Sequence, residues 1–394
     1  MATQAGVGVS QRDDALQAAR EAAVAARASL GDARADWGLV FATTPYRPHF
    51  APMLAEIQSA LGTGEISGCS AWGVLGGGAE VEGEAGVAVL AVRSDRIRGQ
   101  PLLESTGDDH GVAAARQIGG RIAAAGGLLV TLPDPFAVRP DLVLQELRDA
   151  APGTVAVGAA ASGRPRSDST FQFHGRNVAT RSLAALHLSG SLRSAVGITQ
   201  GCQPLGPACR VTGCQENTVL GLDGRPALQR LRALLPGGMG ESIERLGGYL
   251  FVGLPPDPAQ DRIEPGEYLV RPIVAVDPAR QALLLGEEVR EGEPLLFVLR
   301  DAQAAREDLK AMLQRIGSGA PAHDWSFGLY FNCAGRGASL YGLSGIDSAF
   351  LSRQFGSLPI IGFFGNAEIA PLGGASRLLT YTGVLALVGE GPAS

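Results

Sequence analysis

Lysine is almost missing from this chain: Lys310 is the only one among 33 basic residues. The arginine excess reads as base-composition bias of the gene more than as a set of phosphate or carboxylate ligands. A net charge of −6 lacks the basic footprint of a nucleic-acid-binding domain. Also lacking is any uncharged apolar run near the ~18 residues a membrane span needs, so no membrane insertion is expected. The N-terminal run MATQAGVGVSQRDD has neither a basic n-region nor an apolar core, so it does not read as a signal peptide. Cysteines are few, five in 394 residues. In a long chain with no export signal they read as reduced thiols, which places the protein in the cytoplasm.

What is abundant is glycine, with 55 residues. They fall at the ends of apolar runs, where sharp turns and close backbone approach need a residue without Cβ. Residues 13–30 (DDALQAAREAAVAARASL) read as a helix, acidic at the start and with Gly31 beyond the end. A pattern then recurs three times. Its first copy is a strand at 38–43 (GLVFAT), a helix at 49–62, a strand entering a loop at 65–73 (EISGCSAWG) and a strand at 86–92 (GVAVLAV). The second copy has GLLVTL at 127–132, a helix at 140–150, TVAVGAAASG at 154–163 and RSLAALHLSG at 181–190. The third has FGLYFNCAG at 327–335, a helix at 346–356, one strand over 358–369 (LPIIGFFGNAEI) and TYTGVLALV at 380–388. The order predicts an α/β fold of mixed sheets with helices, built from repeated β-α-β-β units.

Between the second and third copies, residues 248–301 are β-rich and 304–316 are helical. The Pro- and charge-rich segment 255–266, after a helix-like run over 226–246, sets a domain boundary between about 236 and 265. Two domains follow, 1–247 and 248–394.

Two stretches carry candidate chemistry, FNCAGRG at 331–337 and IIGFFGNAEIAP at 360–371. If their strands lie parallel in one sheet, the loops after them share one edge, where α/β proteins bind ligands. That edge would hold Cys333, Arg336, Asn366 and Glu368. The Gly335 and Gly337 amides could approach an anion, Arg336 suits a carboxylate, and Glu368 could hold an ammonium. The arrangement fits a zwitterion; the plainer alternative is that Arg336 and Glu368 pair with each other. Cys333 is either a small buried hydrophobe or a thiol activated by Arg336. Cys69, beside Ser70, is read as its counterpart in the first copy. As a nucleophile Cys333 would need a base, and His323 lies at the far end of its strand. Cys202, Cys209 and Cys214 are spaced C-x6-C-x4-C with no C-x2-C pair, so neither a metal nor a disulfide is expected. The Gly-rich 70–83 lacks a GK[ST] ending and AGRGASLYG lacks G-x-G-x-x-G spacing, so no cofactor is expected.

Several of these runs resemble FIST domain proteins. GCSAWG with GVAVLAV, and TQGCQPLGPACRVTGCQEN with LDGRPAL, resemble the first half of that family. The run from YLVRPIVAVD through FNCAGRG, GFFGNAEIAP and TYTGVLAL resembles its C-terminal domain. One departure is Ala367, where the family usually has Gly before Glu368. The likeness covers nearly the whole chain after about residue 35. It implies a sensory protein that binds a small ligand, amino acids being favoured. It also implies a free-standing protein, since no length is left for a fused signalling output module or F-box. The candidate ligand-binding set is Cys69, Ser70, Cys333, Gly335, Arg336, Gly337, Gly362, Asn366 and Glu368. The expected partners are a small-molecule ligand and a signalling protein. The alternatives are an enzyme using Cys333 and a protein-interaction module.

Overall fold

Three six-stranded sheets of one plan surround a shared core, and a small barrel joins them. The computed structural model describes residues 2–165, 168–235, 246–319 and 322–392. The first sheet runs β1 (Gln4–Ser10), β6 (Val87–Arg93), β2 (Trp37–Thr43), β3 (Ile66–Ala71), β10 (Gln172–His174), β11 (Asn177–Ala179). The second runs β7 (Ile97–Ser105), β12 (Ser182–Gly190), β8 (Gly127–Pro133), β9 (Thr154–Ala159), β24 (Glu368–Leu372), β25 (Ala375–Leu379). The third runs β13 (Leu192–Gln200), β26 (Thr382–Glu390), β22 (Phe327–Cys333), β23 (Ile360–Gly365), β4 (Gly73–Gly76), β5 (Ala79–Glu82). In each, the third and fourth strands are a parallel pair joined through a helix, as a crossover requires.

The last two strands of each sheet are a hairpin from elsewhere in the chain. β4–β5 follows β3 in sequence but pairs with β23. β10–β11 follows β9 but pairs with β3, and β24–β25 follows β23 but pairs with β9. The three hand-offs close a cycle. They also correct the single strand expected over 358–369. The chain leaves one sheet at Gly365 and enters another at Glu368. The transfer is fixed by Asn366 N–H to Ala160 O (3.0 Å) and Ala160 N–H to Ala367 O (2.8 Å).

Alternation along the strands explains the layers. Trp37, Leu39 and Phe41, Leu128, Val130 and Leu132, and Phe327, Leu329 and Phe331 all point into the shared core. Each large side chain so buried contributes roughly 1.5–3 kcal/mol. The opposite faces lie under helices. α1 (Ala15–Ala28) and α2 (Phe50–Leu61) cover the first sheet, and α3 (Val112–Ile122) and α4 (Pro140–Ala150) the second. α1 starts where Asp14 accepts the Gln17 N–H, and it buries six alanines.

The barrel lies between β13 and the third unit's helices. Its strands are β14 (Cys202–Pro204), β15 (Cys209–Gln215), β16 (Thr218–Leu222), β17 (Arg225–Pro226), β18 (Leu250–Leu254), β19 (Leu269–Asp277), β20 (Ala282–Leu285) and β21 (Pro294–Arg300). The ring β21-β15-β16-β20-β19-β18 closes on itself through antiparallel pairs, which removes its edges. α5 (Ala227–Leu234) packs on its core. A boundary at 247/248 divides this barrel, with β14–β17 on one side and β18–β21 on the other. Part of the expected boundary region, 236–245, and the end of the expected 226–246 helix lie outside the described residues. α6 (Ala302–Gly319) and α8 (Ile346–Phe355) cover the third sheet, and a single turn, α7 (Ala338–Tyr341), follows β22. Among the described residues no helix is long and apolar enough to cross a membrane.

Candidate functional site

The three parallel pairs share one feature of register. Gly68 lies opposite Val40, Gly158 opposite Thr131, and Gly362 opposite Tyr330. A Cβ on these glycines would sit 1.9, 2.1 and 1.8 Å from the partner's carbonyl oxygen, so the strands approach this closely only with glycine there. Gly362 is therefore a packing position within β23. Counting four residues on from each glycine reaches Trp72, Ser162 and Asn366. All three line one cleft of about 370 Å³.

Serine hydroxyls hold this junction together. Ser162 Oγ accepts the Trp72 N–H at 2.7 Å and donates to Phe364 O. Ser70 Oγ donates to Ser162 O at 2.9 Å and accepts the Phe171 N–H at 3.1 Å. Both serines are buried, so their bonds replace hydration rather than compete with it. Phe136, Arg164, Thr170, Ala334 and Ser339 complete the wall.

The loops after β22 and β23 do share an edge, and Ala334 and Asn366 both face the cleft. The two charges expected at its ends sit elsewhere. Arg336 and Glu368 are each 0% exposed and belong to the protein interior. Nor do they form an ion pair with each other. The Arg336 carboxylate partner is Asp347, 3.4 Å from its Nε, and its Nη2 donates to Tyr341 Oη at 2.7 Å. Tyr330 Oη donates to the same Asp347 oxygen at 2.8 Å. Glu368 accepts from Thr382 N–H (3.3 Å) and Thr382 Oγ1 (2.8 Å). Burial pushes its carboxyl up to about 8, against the pull of the Thr382 bonds and of Arg336.

Cys333 is buried, and burial followed by the nearby Glu368 charge raises its thiol pKa strongly; Arg336 opposes this only weakly. The thiol is therefore neutral, which removes the activation expected from Arg336. Cys69 is also buried and its thiol pKa raised by burial. It is not the counterpart of Cys333. It lies on the second strand of its pair, at the position of Phe363, whereas Cys333 ends a first strand, at the position of Thr43. Gly335 N–H donates to Cys333 Sγ, and a Cβ on Gly335 would meet the Tyr381 ring. Gly337, at φ 56°, faces the Glu82 carboxylate.

Glu80 and Glu82, on the hairpin donated by the first unit, supply a hold on this loop absent from the sequence reading. Glu82 accepts the Ala338 N–H at 3.1 Å, and Glu80 accepts those of Gly345 and Ser348, both at 2.6 Å. Burial pushes Glu82 up to about 7, opposed by the Ala338 bond and helped by the Glu80 and Asp347 charges. Arg300, at the end of barrel strand β21, donates to Gly335 O and to Ser339 Oγ. The three clustered cysteines have separate surroundings. Cys202 packs with Phe251 and Tyr268, Cys209 lies near Asp223 and Arg230, and Cys214 donates to Val289 O.

Comparison with known families agrees with this architecture. The FIST N domain matches residues 36–225, and the FIST C domain matches residues 227–371. The chain belongs to the FIST family. An uncharacterized protein of Mycobacterium tuberculosis is 32% identical over 383 residues, covering 97% of this chain and 98% of the relative. An uncharacterized protein of Mycobacterium bovis is 30% identical over the same span and coverage. FIST domains are generally held to be small-ligand sensory domains in signalling. In this member the two FIST halves share a barrel and exchange hairpins, so the cleft draws on both: Trp72, Phe136 and Ser162 from FIST N, Ala334 and Asn366 from FIST C.

Trp72, Phe136, Ser162 and Arg164 were not among the candidates read from sequence. A signal was present: each of the three parallel pairs ends in a Gly-containing apolar run, and the residue four beyond that glycine is the one that faces the cleft.

Proposed function

We propose that this FIST protein is a cytoplasmic sensor and that its ligand enters the cleft between Trp72, Ser162 and Asn366. One observation supports this reading above the others: corresponding positions of three separate units converge on a single concavity, at the carboxyl ends of parallel strands. The wall offers rings, hydroxyls, a carboxamide and one guanidinium, a mixture suited to recognising a small polar molecule. An amino acid or similar zwitterion is the first class to test. Arg164 supplies a partner for its carboxylate and the Asn366 side chain an oxygen for its ammonium. The five unpaired cysteines suit a reducing compartment. In this reading a signalling protein senses the occupied state, and the Arg300 bridge between barrel and cleft loop is a route by which occupancy reaches the barrel.

The test is a thermal-shift screen with amino acids and related metabolites. A ligand at 100 times its dissociation constant adds about 2.7 kcal/mol of stability. Asn366→Ala should abolish the shift for a ligand that uses the carboxamide, while leaving the unliganded melting temperature nearly unchanged because Asn366 is exposed. Shifts that persist in both Asn366→Ala and Trp72→Ala would place the ligand elsewhere.

A further inference from the structure

A second concavity of about 560 Å³ shares Arg164 and Pro165 with the cleft, and the two differ in character. The first is lined by Trp72 and Phe136 and by no acidic residue. Phe136 leaves 52% of its surface exposed beside it, an apolar ring in water where a ligand ring would shield it. The second is lined by Arg47 and Arg164, with Asp168 as its one acid. Among the described residues Arg164 has no hydrogen bond or ion pair. Among the described residues the Arg47 guanidinium contacts only the Phe171 ring, 4.8 Å from its centroid. Two guanidiniums without carboxylate partners, next to two aromatic walls, form an anion subsite adjoining a ring subsite.

We infer that the ligand is a flat-ringed anion: its ring lies against Trp72 and Phe136, and its carboxylate or phosphate reaches Arg164 and Arg47. This rests on the reading of the cleft as the ligand site and adds the chemical class. Asp168 would disfavour an extended anion beyond the two arginines, which limits the charged group to one head.

Trp72 fluorescence provides the assay, because the other two tryptophans, Trp37 and Trp325, are buried away from the cleft. The probes are benzoate and adenosine 5′-monophosphate as ring anions, acetate and inorganic phosphate as anions alone, and benzyl alcohol and adenosine as rings alone. At least one ring anion should quench Trp72 and bind about tenfold or more tighter than either of its halves. Benzoate ahead identifies a carboxylate ligand; the nucleotide ahead identifies a phosphate. Arg164→Gln should lower the ring anion to the level of the neutral ring, about tenfold or more, and leave the neutral ring unchanged. Trp72→Phe should remove the quench and serve as the control for its source. A neutral ring that binds as tightly as its anion, or an Arg164→Gln variant with full affinity, overturns the inference and leaves the cleft reading standing. If no probe here and no amino acid in the wider screen quenches Trp72 or raises the melting temperature, both fall together.

Discussion

Replacing Arg336 by methionine tests where its charge is balanced. The guanidinium and the Asp347 carboxylate are both 0% exposed as side chains and 3.4 Å apart. Arg336→Met would leave Asp347, among the described residues, with tyrosine hydroxyls in place of a cation, near the Glu80 and Glu82 charges. Asp347→Leu would leave a buried guanidinium whose one hydrogen-bond partner among the described residues is Tyr341. Breaking a buried pair from one side costs about 3–5 kcal/mol, so each single variant should lose that much. The pair is itself incompletely satisfied: Arg336 Nη1 and Asp347 Oδ1 have no hydrogen-bond partner among the described residues. Such networks yield to apolar replacements with little loss. The double variant should therefore recover at least about 3 kcal/mol relative to the sum of the singles. Urea unfolding at pH 7 measures all four corners of the cycle. The parallel cycle with Glu368→Gln supplies the comparison. Glu368 titrates at about 8, so at pH 7 it is mostly protonated and its replacement by glutamine changes little charge. That cycle should be additive to within about 0.5 kcal/mol. A larger coupling between 336 and 368 than between 336 and 347 would refute the assignment and restore the direct pairing of Arg336 with Glu368.

Glu368 has a folded pKa raised above its unfolded value. It keeps its proton in the fold between about 4.5 and 8 while the unfolded chain has lost it, so stability falls as pH rises through that window. Glu368→Gln should flatten this decline, by up to about 1.4 kcal/mol per pH unit, in urea titrations at pH 5, 6, 7 and 8. Gly362→Ala places a Cβ 1.8 Å from Tyr330 O, and should lower stability by more than the roughly 1 kcal/mol of an ordinary strand substitution, measured by the same unfolding. Residues 1–225 expressed alone lack β24–β25 and leave β4–β5 without β23; they should fail to give a cooperative melt, and co-expression with 226–394 should restore one. Cys333 should resist a thiol reagent under native conditions and react on denaturation; rapid native labelling would show that the loop opens.

Helices and core strands were legible because their periodicity is local. The sequence pattern of 38–43, 127–132 and 327–333 marks three strands, and each does lead a parallel pair. What the pattern could not carry is which sheet a hairpin joins. Residues 73–82 and 368–379 read as short strands, and nothing in them distinguishes pairing with the preceding strand from pairing with one about 290 or about 210 positions away. β1 and β7 are equally hard to read from sequence, the first because Gly6 and Gly8 dilute its apolar alternation, the second because IRGQPLLES contains both Gly and Pro. At the site, Arg336 was noticed for its charge, but its partner was hidden. Asp347 sits at the start of α8, where an acid normally reads as a helix-end residue. Only the fold turns it inward. The cleft itself depends on the exchange of hairpins, so no single stretch of sequence contains it.

The cycle of hand-offs also sets a timetable. β4 is complete by residue 76, but its partner β23 begins at residue 360. At ordinary synthesis rates of about 5–20 residues per second, that strand waits on the order of a quarter of a minute to a minute for its neighbour. Through that interval the nascent chain carries apolar strands with unpaired edges, and the first sheet has all its strands by Ala179, well before the third can be completed. The last hand-off waits until β24–β25 reaches β9, and the third sheet is complete only when β26 fills the place between β13 and β22. A ribosome stalled beyond residue 76 and before residue 360 would release a product unable to complete its own sheets.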